Sequence, residues 1–422
     1  MRASPTVFPL LGAVAGAALV AVWALSNARP FDLYQAEVNT RSPYVFGNNW
    51  SDRFLNSAWA AFTALAIVVV SSWLARRYRQ APAIGVVAGL LVLGAPSVIE
   101  VPTGLAPTTT GIAAGLLLGF AASAVRSDRS AAVAALLGAR TAYPIRREHD
   151  ARFGSPRDWS VNLGTGSANT LVPVPVIALV LVLVVASVVT LSRRAETTTP
   201  RESGPVAVSV PATAALTWAV YVSFGDSASS VVQWVAAVVV SVVAIVAVAV
   251  RSGKDGGFVC AGLAIAATTV NGMAWSGWWV APLAFAGIAT GLLLACRVPA
   301  TAVGCCVLAA VCASGFAWDT IASTIAYAVI LPAAAAYSYA SSLPSEPSVL
   351  ALGILLPIVC AMFGFSALGK RPSGEYTWDP GELPAPGSVI PAQATAIVTA
   401  VVTSLVAALV ATRIHDRNAR RS

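Results

Sequence analysis

Residues 106–118 read APTTTGIAAGLLL, and residues 281–294 read APLAFAGIATGLLL. The two segments share a proline, a pair of glycines four apart and a leucine run, so they raise the question of an internal repeat. They lie among apolar runs of about 20 residues, each long enough to cross a hydrocarbon core about 30 Å thick at about 1.5 Å per residue. The chain is 57% hydrophobic and 10% charged over 422 residues, with a mean hydropathy of +0.76. Soluble domains carry about 25% charged residues. The composition therefore excludes a water-soluble globular protein. It predicts an all-α, polytopic transmembrane helical bundle in a plasma membrane.

The basic excess is a topology signal. Net charge is +8, and Lys254 and Lys370 are the only lysines among 26 basic residues. Arginines cluster after apolar spans, as in Arg76-Arg77-Tyr78-Arg79, Arg193-Arg194 and the tail from Arg413 to Arg421. Such clusters mark cytoplasmic ends. No basic, aromatic-rich domain suggests a nucleic-acid partner; membrane lipid is the expected one. The six cysteines form no C-x-x-C pair and the only histidines are His149 and His415, so no metal site is expected. Gly164-Thr165-Gly166-Ser167 lacks the Lys-Ser/Thr ending of a P-loop. No cofactor is expected, and an ion gradient is the expected energy source.

The clear spans fall at 8–25, 55–75, 82–101, 109–125, 171–191, 205–223, 229–250, 257–275, 279–296, 299–317, 320–339, 348–366 and 390–412. Thirteen spans with a cytoplasmic N-terminus would place the arginine-rich C-terminus outside, against the positive-inside bias. The echo offers a repair. At its offset, Trp59 and Trp234 each begin a span, and Arg76 and Arg251 each follow. Matching the halves makes 129–145, RSAAVAALLGARTAYPI, a crossing despite Arg140. Fourteen spans then leave both termini in the cytoplasm. The reading is 13–14 spans, with a parallel six-helix repeat plus two extra helices. The parts are a first half at 1–194 with outer loops 27–54 and 146–170, a second half at 205–340, and a helix pair with a basic tail at 348–422.

Candidate chemistry concentrates on the outer face of the first half. Glu100, flanked by Pro96 and Pro102, would sit where a broken helix frees backbone carbonyls. Arg140 would snorkel outward to a lipid phosphate or a substrate carboxylate. Arg146 and Arg147 would lie in an outer loop and grip an anionic ligand such as a polyprenyl-phosphate-linked substrate. Gln233 and Asn271 are polar residues in apolar spans, and become ligands if they face a cavity. Asp32 and Glu37 follow the first span, where a membrane glycosyltransferase could carry a catalytic base.

Three functions follow. The first is an ion-coupled transporter or flippase of a lipid-linked or small anionic substrate in the cell envelope. The second is a glycosyltransferase using a polyprenyl-linked donor at the outer face. The third is a non-catalytic subunit of a membrane complex. Convergence of the outer carboxylates and arginines would favour the second; polar residues facing a mid-membrane cavity near Gln233 and Asn271 would favour the first; neither, with an apolar groove for a partner, would favour the third.

Overall fold

A computed structural model describes residues 7–27, 57–78, 80–95, 105–125, 129–153, 172–194, 204–224, 231–271, 279–317, 320–360 and 391–420. Among them are fourteen helices and no strand. We number them α1 (Val7–Asn27), α2 (Ser57–Arg77), α3 (Ala81–Gly94), α4 (Ala106–Val125), α5 (Arg129–Phe153), α6 (Val174–Arg194) and α7 (Gly204–Phe224). The series continues with α8 (Val231–Arg251), α9 (Gly256–Ala267), α10 (Val280–Arg297), α11 (Thr301–Ala313), α12 (Ile321–Ser341), α13 (Pro347–Val359) and α14 (Pro391–Ala419). Seven of these are long and apolar enough to cross a membrane. The outward faces are apolar as well: Val182 and Val185 on α6, Val243 on α8 and Leu409 on α14 are all more than 60% exposed. Rows of this kind suit a hydrocarbon solvent and would aggregate in water. The chain is a multi-pass helical membrane bundle.

Packing reveals how the helices are organised. In the first part of the chain α1 packs on α5 and α6, α4 packs on α2 and α3, and α3 touches α6. In the last part α9 packs on α13 and α14, α12 packs on α10 and α11, and α11 touches α14. Each pairing in the first set returns in the second with eight added to both helix numbers. Two six-helix units therefore exist, α1–α6 and α9–α14. The contacts between them are reciprocal: α5 touches α10 and α12, while its counterpart α13 touches α2 and α4. Reciprocity of this kind is what a pseudo-two-fold axis generates.

Helix directions agree with the same scheme. A Cβ on Gly111 would meet Ala60 and Thr63, one on Gly115 would meet Ala64 and Ile67, and one on Gly119 would meet Ser71. Both numbers rise together, so α2 and α4 are parallel. Gly287 against Val329 and Gly291 against Ala333 make α10 and α12 parallel in the same way. Gly138 abuts Ala15 and the Arg146 side chain reaches Ser26, so α1 and α5 are parallel too. Gly12 against Leu183 and Gly16 against Val180 make α1 and α6 antiparallel.

By these contacts α9–α14 form the second group of six helices, with α7 and α8 between the two groups in the chain. The echo also acquires a physical meaning. Gly111, Gly115 and Gly119 lie on α4 and face α2, whereas Gly287 and Gly291 lie on α10 and face α12. Both glycine ladders serve the same parallel pair, but from opposite members. Small residues let two backbones approach closely, and either helix can supply them. The echoed segments are therefore equivalent in packing and not in position.

The inserted pair is tied down by aromatic rings. Trp218 of α7 lies 4.9 Å from Trp59 and stacks at 6.2 Å on Phe62, both on α2. Trp59 Nε1 donates to Thr108 Oγ1 of α4 at 2.9 Å, which uses one hydroxyl of the threonine run in 106–118. At the centre of the second unit, every residue of α9 is buried. A helix apolar on all sides belongs inside a bundle.

A single carboxylate organises the start of α9. Asp255 is 4% exposed, and its Oδ2 accepts from Ser345 N at 3.0 Å, Ser345 Oγ at 2.9 Å and Glu346 N at 3.0 Å. Glu346 immediately precedes α13, so Asp255 satisfies amides at that helix start. It ties together the N-terminal ends of the neighbouring parallel helices α9 and α13. Asp255→Asn keeps the shape and removes the charge. It is expected to cost about 1 kcal/mol, visible as a lower melting temperature in detergent.

Candidate functional site

The fifth helix of the first unit brings polar side chains to the contact between the units. α5 runs for 25 residues to Phe153, so Arg146 and Arg147 belong to its last turns and not to an outer loop. Arg140 is the twelfth residue of that helix. It is half-buried, and its guanidinium carbon lies 4.5 Å from the centroid of the Tyr339 ring on α12. Sequence reasoning has this side chain reaching outward to a lipid phosphate or a substrate carboxylate; among the described residues it lies over an aromatic ring.

Tyr339 is itself held from three directions. Its ring is 4.5 Å from Phe258 of α9, and its hydroxyl donates to the Gly353 carbonyl of α13 at 2.5 Å. The sequence explains why that carbonyl is available. Gly353 would normally accept from the amide four residues later, but Pro357 stands there and has no N–H. The tyrosine replaces the missing donor. Arg140 therefore rests on a side chain that is anchored to α9, α12 and α13 together.

Tyr143 completes the cluster. It follows Arg140 by three residues, so the two are neighbours on one helix face. Its hydroxyl is buried and has no hydrogen-bond partner among the described residues. Arg140 and Arg146 both act electrostatically on that hydroxyl. Arg146 turns the other way, its Nη1 donating to the Ser26 carbonyl at the end of α1 at 2.8 Å. The fifth helix carries its own proline, Pro144, four residues after Arg140. The Arg140 carbonyl thus lacks the amide that would normally donate to it. No carboxylate pairs with Arg140 among the described residues.

No protein-family model matches the chain, and no curated protein matches it at a significant level. The remaining candidates fall as follows. Asp32, Glu37 and Glu100 lie outside the described residues. Arg147 is in the last turns of α5, with its side chain outside the description. Gln233 is exposed as the third residue of α8, away from the contact between the units. Asn271 ends the 3-10 turn after α9, and its side chain also lies outside the description. The described residues contain no group of three metal-ligating side chains. Four cysteines are buried, while Cys296 and Cys306 are exposed.

Sequence reasoning singled out Arg140 and Arg146 but missed Tyr143 and Tyr339. A usable signal was present. Arg140-Pro144 and Gly353-Pro357 are the same carbonyl-freeing spacing on two apolar segments.

Proposed function

We propose that the protein is an ion-coupled transporter of a small anionic substrate in the plasma membrane, working by rocking α1–α6 against α9–α14. The observation that supports this reading is the reciprocal contact of α5 with α10 and α12, and of α13 with α2 and α4. Parallel six-helix halves related by an axis along the membrane normal are a plan on which alternating access works, with the substrate held between them. Arg140 sits at that contact. The transferase reading puts Arg140 or Arg146 on the phosphate and Asp32 or Glu37 as base; the two arginines turn to different helices, toward Tyr339 and Ser26, and both carboxylates lie outside the described residues.

Spin labels test the rocking. Arg77 and Arg297 end the equivalent helices α2 and α10, and the next residues, Tyr78 and Val298, are exposed. With Cys296 and Cys306 replaced by serine, labels at Tyr78→Cys and Val298→Cys should give two distance populations. Their ratio should change with an imposed proton or sodium gradient in liposomes. One distance that ignores every gradient would favour a static subunit. The proposed orientation, with both termini cytoplasmic, has its own test: Ser155→Cys should react with an impermeant maleimide from outside intact cells.

A further inference from the structure

Arg140 is poorly compensated where it stands. A charged side chain inside a membrane helix is costly to insert. A cation over an aromatic face returns only part of that cost. The guanidinium lies over Tyr339 and also hydrogen-bonds with that side chain, which leaves further N–H donors at its edge. Beside it, the Tyr143 hydroxyl is buried and unpartnered among the described residues. Arg146 adds positive potential at that hydroxyl without leaving the Ser26 carbonyl. The counterpart helix α13 reads PSVLALGILLPIV and carries no charge, so the feature belongs to one unit only.

We propose that Arg140 and Tyr143 form an oxyanion site at the contact between the two units, taking one carboxylate or phosphate group of a ligand. Two edge N–H groups of Arg140 grip the two oxygens of the group, and the Tyr143 hydroxyl donates a third hydrogen bond. Tyr339 is the positioning residue: its ring holds the guanidinium while its hydroxyl is committed to Gly353. The site rests on the transporter reading, because it identifies the charged end of that transporter's substrate. An anionic lipid headgroup and a soluble anion offer the same chemistry to these donors.

The test is thermal stabilisation of the purified full chain in phosphatidylcholine nanodiscs. Acetate, benzoate, inorganic phosphate and methyl phosphate are titrated at constant ionic strength, with chloride as the control. At least one oxyanion should raise the melting temperature saturably while chloride does not. Tyr143→Phe should raise the half-saturating concentration about tenfold, the equivalent of one hydrogen bond of about 1.4 kcal/mol. Its melting temperature without ligand should not fall, since the lost hydroxyl had no partner. Arg140→Leu should remove the saturable response and should melt no lower than the unsubstituted protein. Nanodiscs containing phosphatidylglycerol separate the sources. If the headgroup occupies the site, that lipid stabilises the unsubstituted protein but not Arg140→Leu, and soluble oxyanions compete with it.

An oxyanion response that survives in Arg140→Leu would overturn the site, and so would the absence of any saturable response in either lipid. Saturable, Arg140-dependent binding with an unchanging distance between the labels at 78 and 298 would keep the site and reject the transporter.

Discussion

Gly138→Leu is expected to remove the folded protein from detergent extracts, or to lower its stability by more than about 3 kcal/mol. α1 and α5 form one of the most extensive helix contacts in the bundle, and at Gly138 their backbones approach closely. A Cβ at this position would fall on the Ala15 carbonyl oxygen, with the carbonyl carbon at 2.6 Å and Cα at 2.9 Å behind it. Those are backbone atoms of a buried helix, so no rotamer change can make room. The helices would have to separate along their whole length, and the Arg146–Ser26 hydrogen bond would go with them. Gly12→Ala is the internal control. It lies on the same α1, but a Cβ there meets only the Leu183 side chain at 3.5 Å, an ordinary contact. Size-exclusion profiles and melting curves of the two variants should separate cleanly. A Gly138→Leu protein that melts with the unsubstituted one would disprove the parallel α1–α5 pair.

That pair is also where sequence reading met its limit. The long apolar spans were legible because their physics is local: a run of about 20 residues either spans a hydrocarbon core or it does not. α5 is different. Arg140, Arg146 and Arg147 lower its hydropathy, and only the count of cytoplasmic arginines together with the echo called for another crossing. The structure supplies the reason those residues are tolerated, with a tyrosine face for one and a backbone carbonyl for another. The repeat was legible as a fact and misleading as a register. GIAAG on α4 and GIATG on α10 satisfy the same demand for a close parallel pair, and composition cannot reveal which partner carries the small residues. Packing could, because the main pairings of each helix return with a shift of eight. Tyr143 and Tyr339 escaped for a related reason. Nearly two hundred residues separate them, and only the contact between α5 and α12 brings them together.

The second large effect is expected at Tyr339, and it depends on a proline in another helix. Tyr339→Phe keeps the ring under Arg140 and against Phe258 but deletes the donor to Gly353. The Gly353 carbonyl would then be buried with neither its helical amide nor the phenol, which costs about 1–3 kcal/mol. Pro357→Ala restores an amide at the position where a helix would supply one. In that background Tyr339→Phe should cost only a few tenths of a kcal/mol, because the carbonyl keeps a donor. The double-mutant cycle isolates this coupling, since the two residues act on a single oxygen. Tyr339→Leu adds a separate loss. It also strips the aromatic face from Arg140, and the difference between the leucine and phenylalanine variants should carry a cation–π component of about 0.5–2 kcal/mol. Making Arg140→Leu alongside Tyr339→Leu should erase that component while leaving the Gly353 cost intact. Equal costs for Tyr339→Phe with and without Pro357 would mean that the hydroxyl does not stand in for the missing amide. The link between the proline in α13 and the arginine of α5 would then have to be given up.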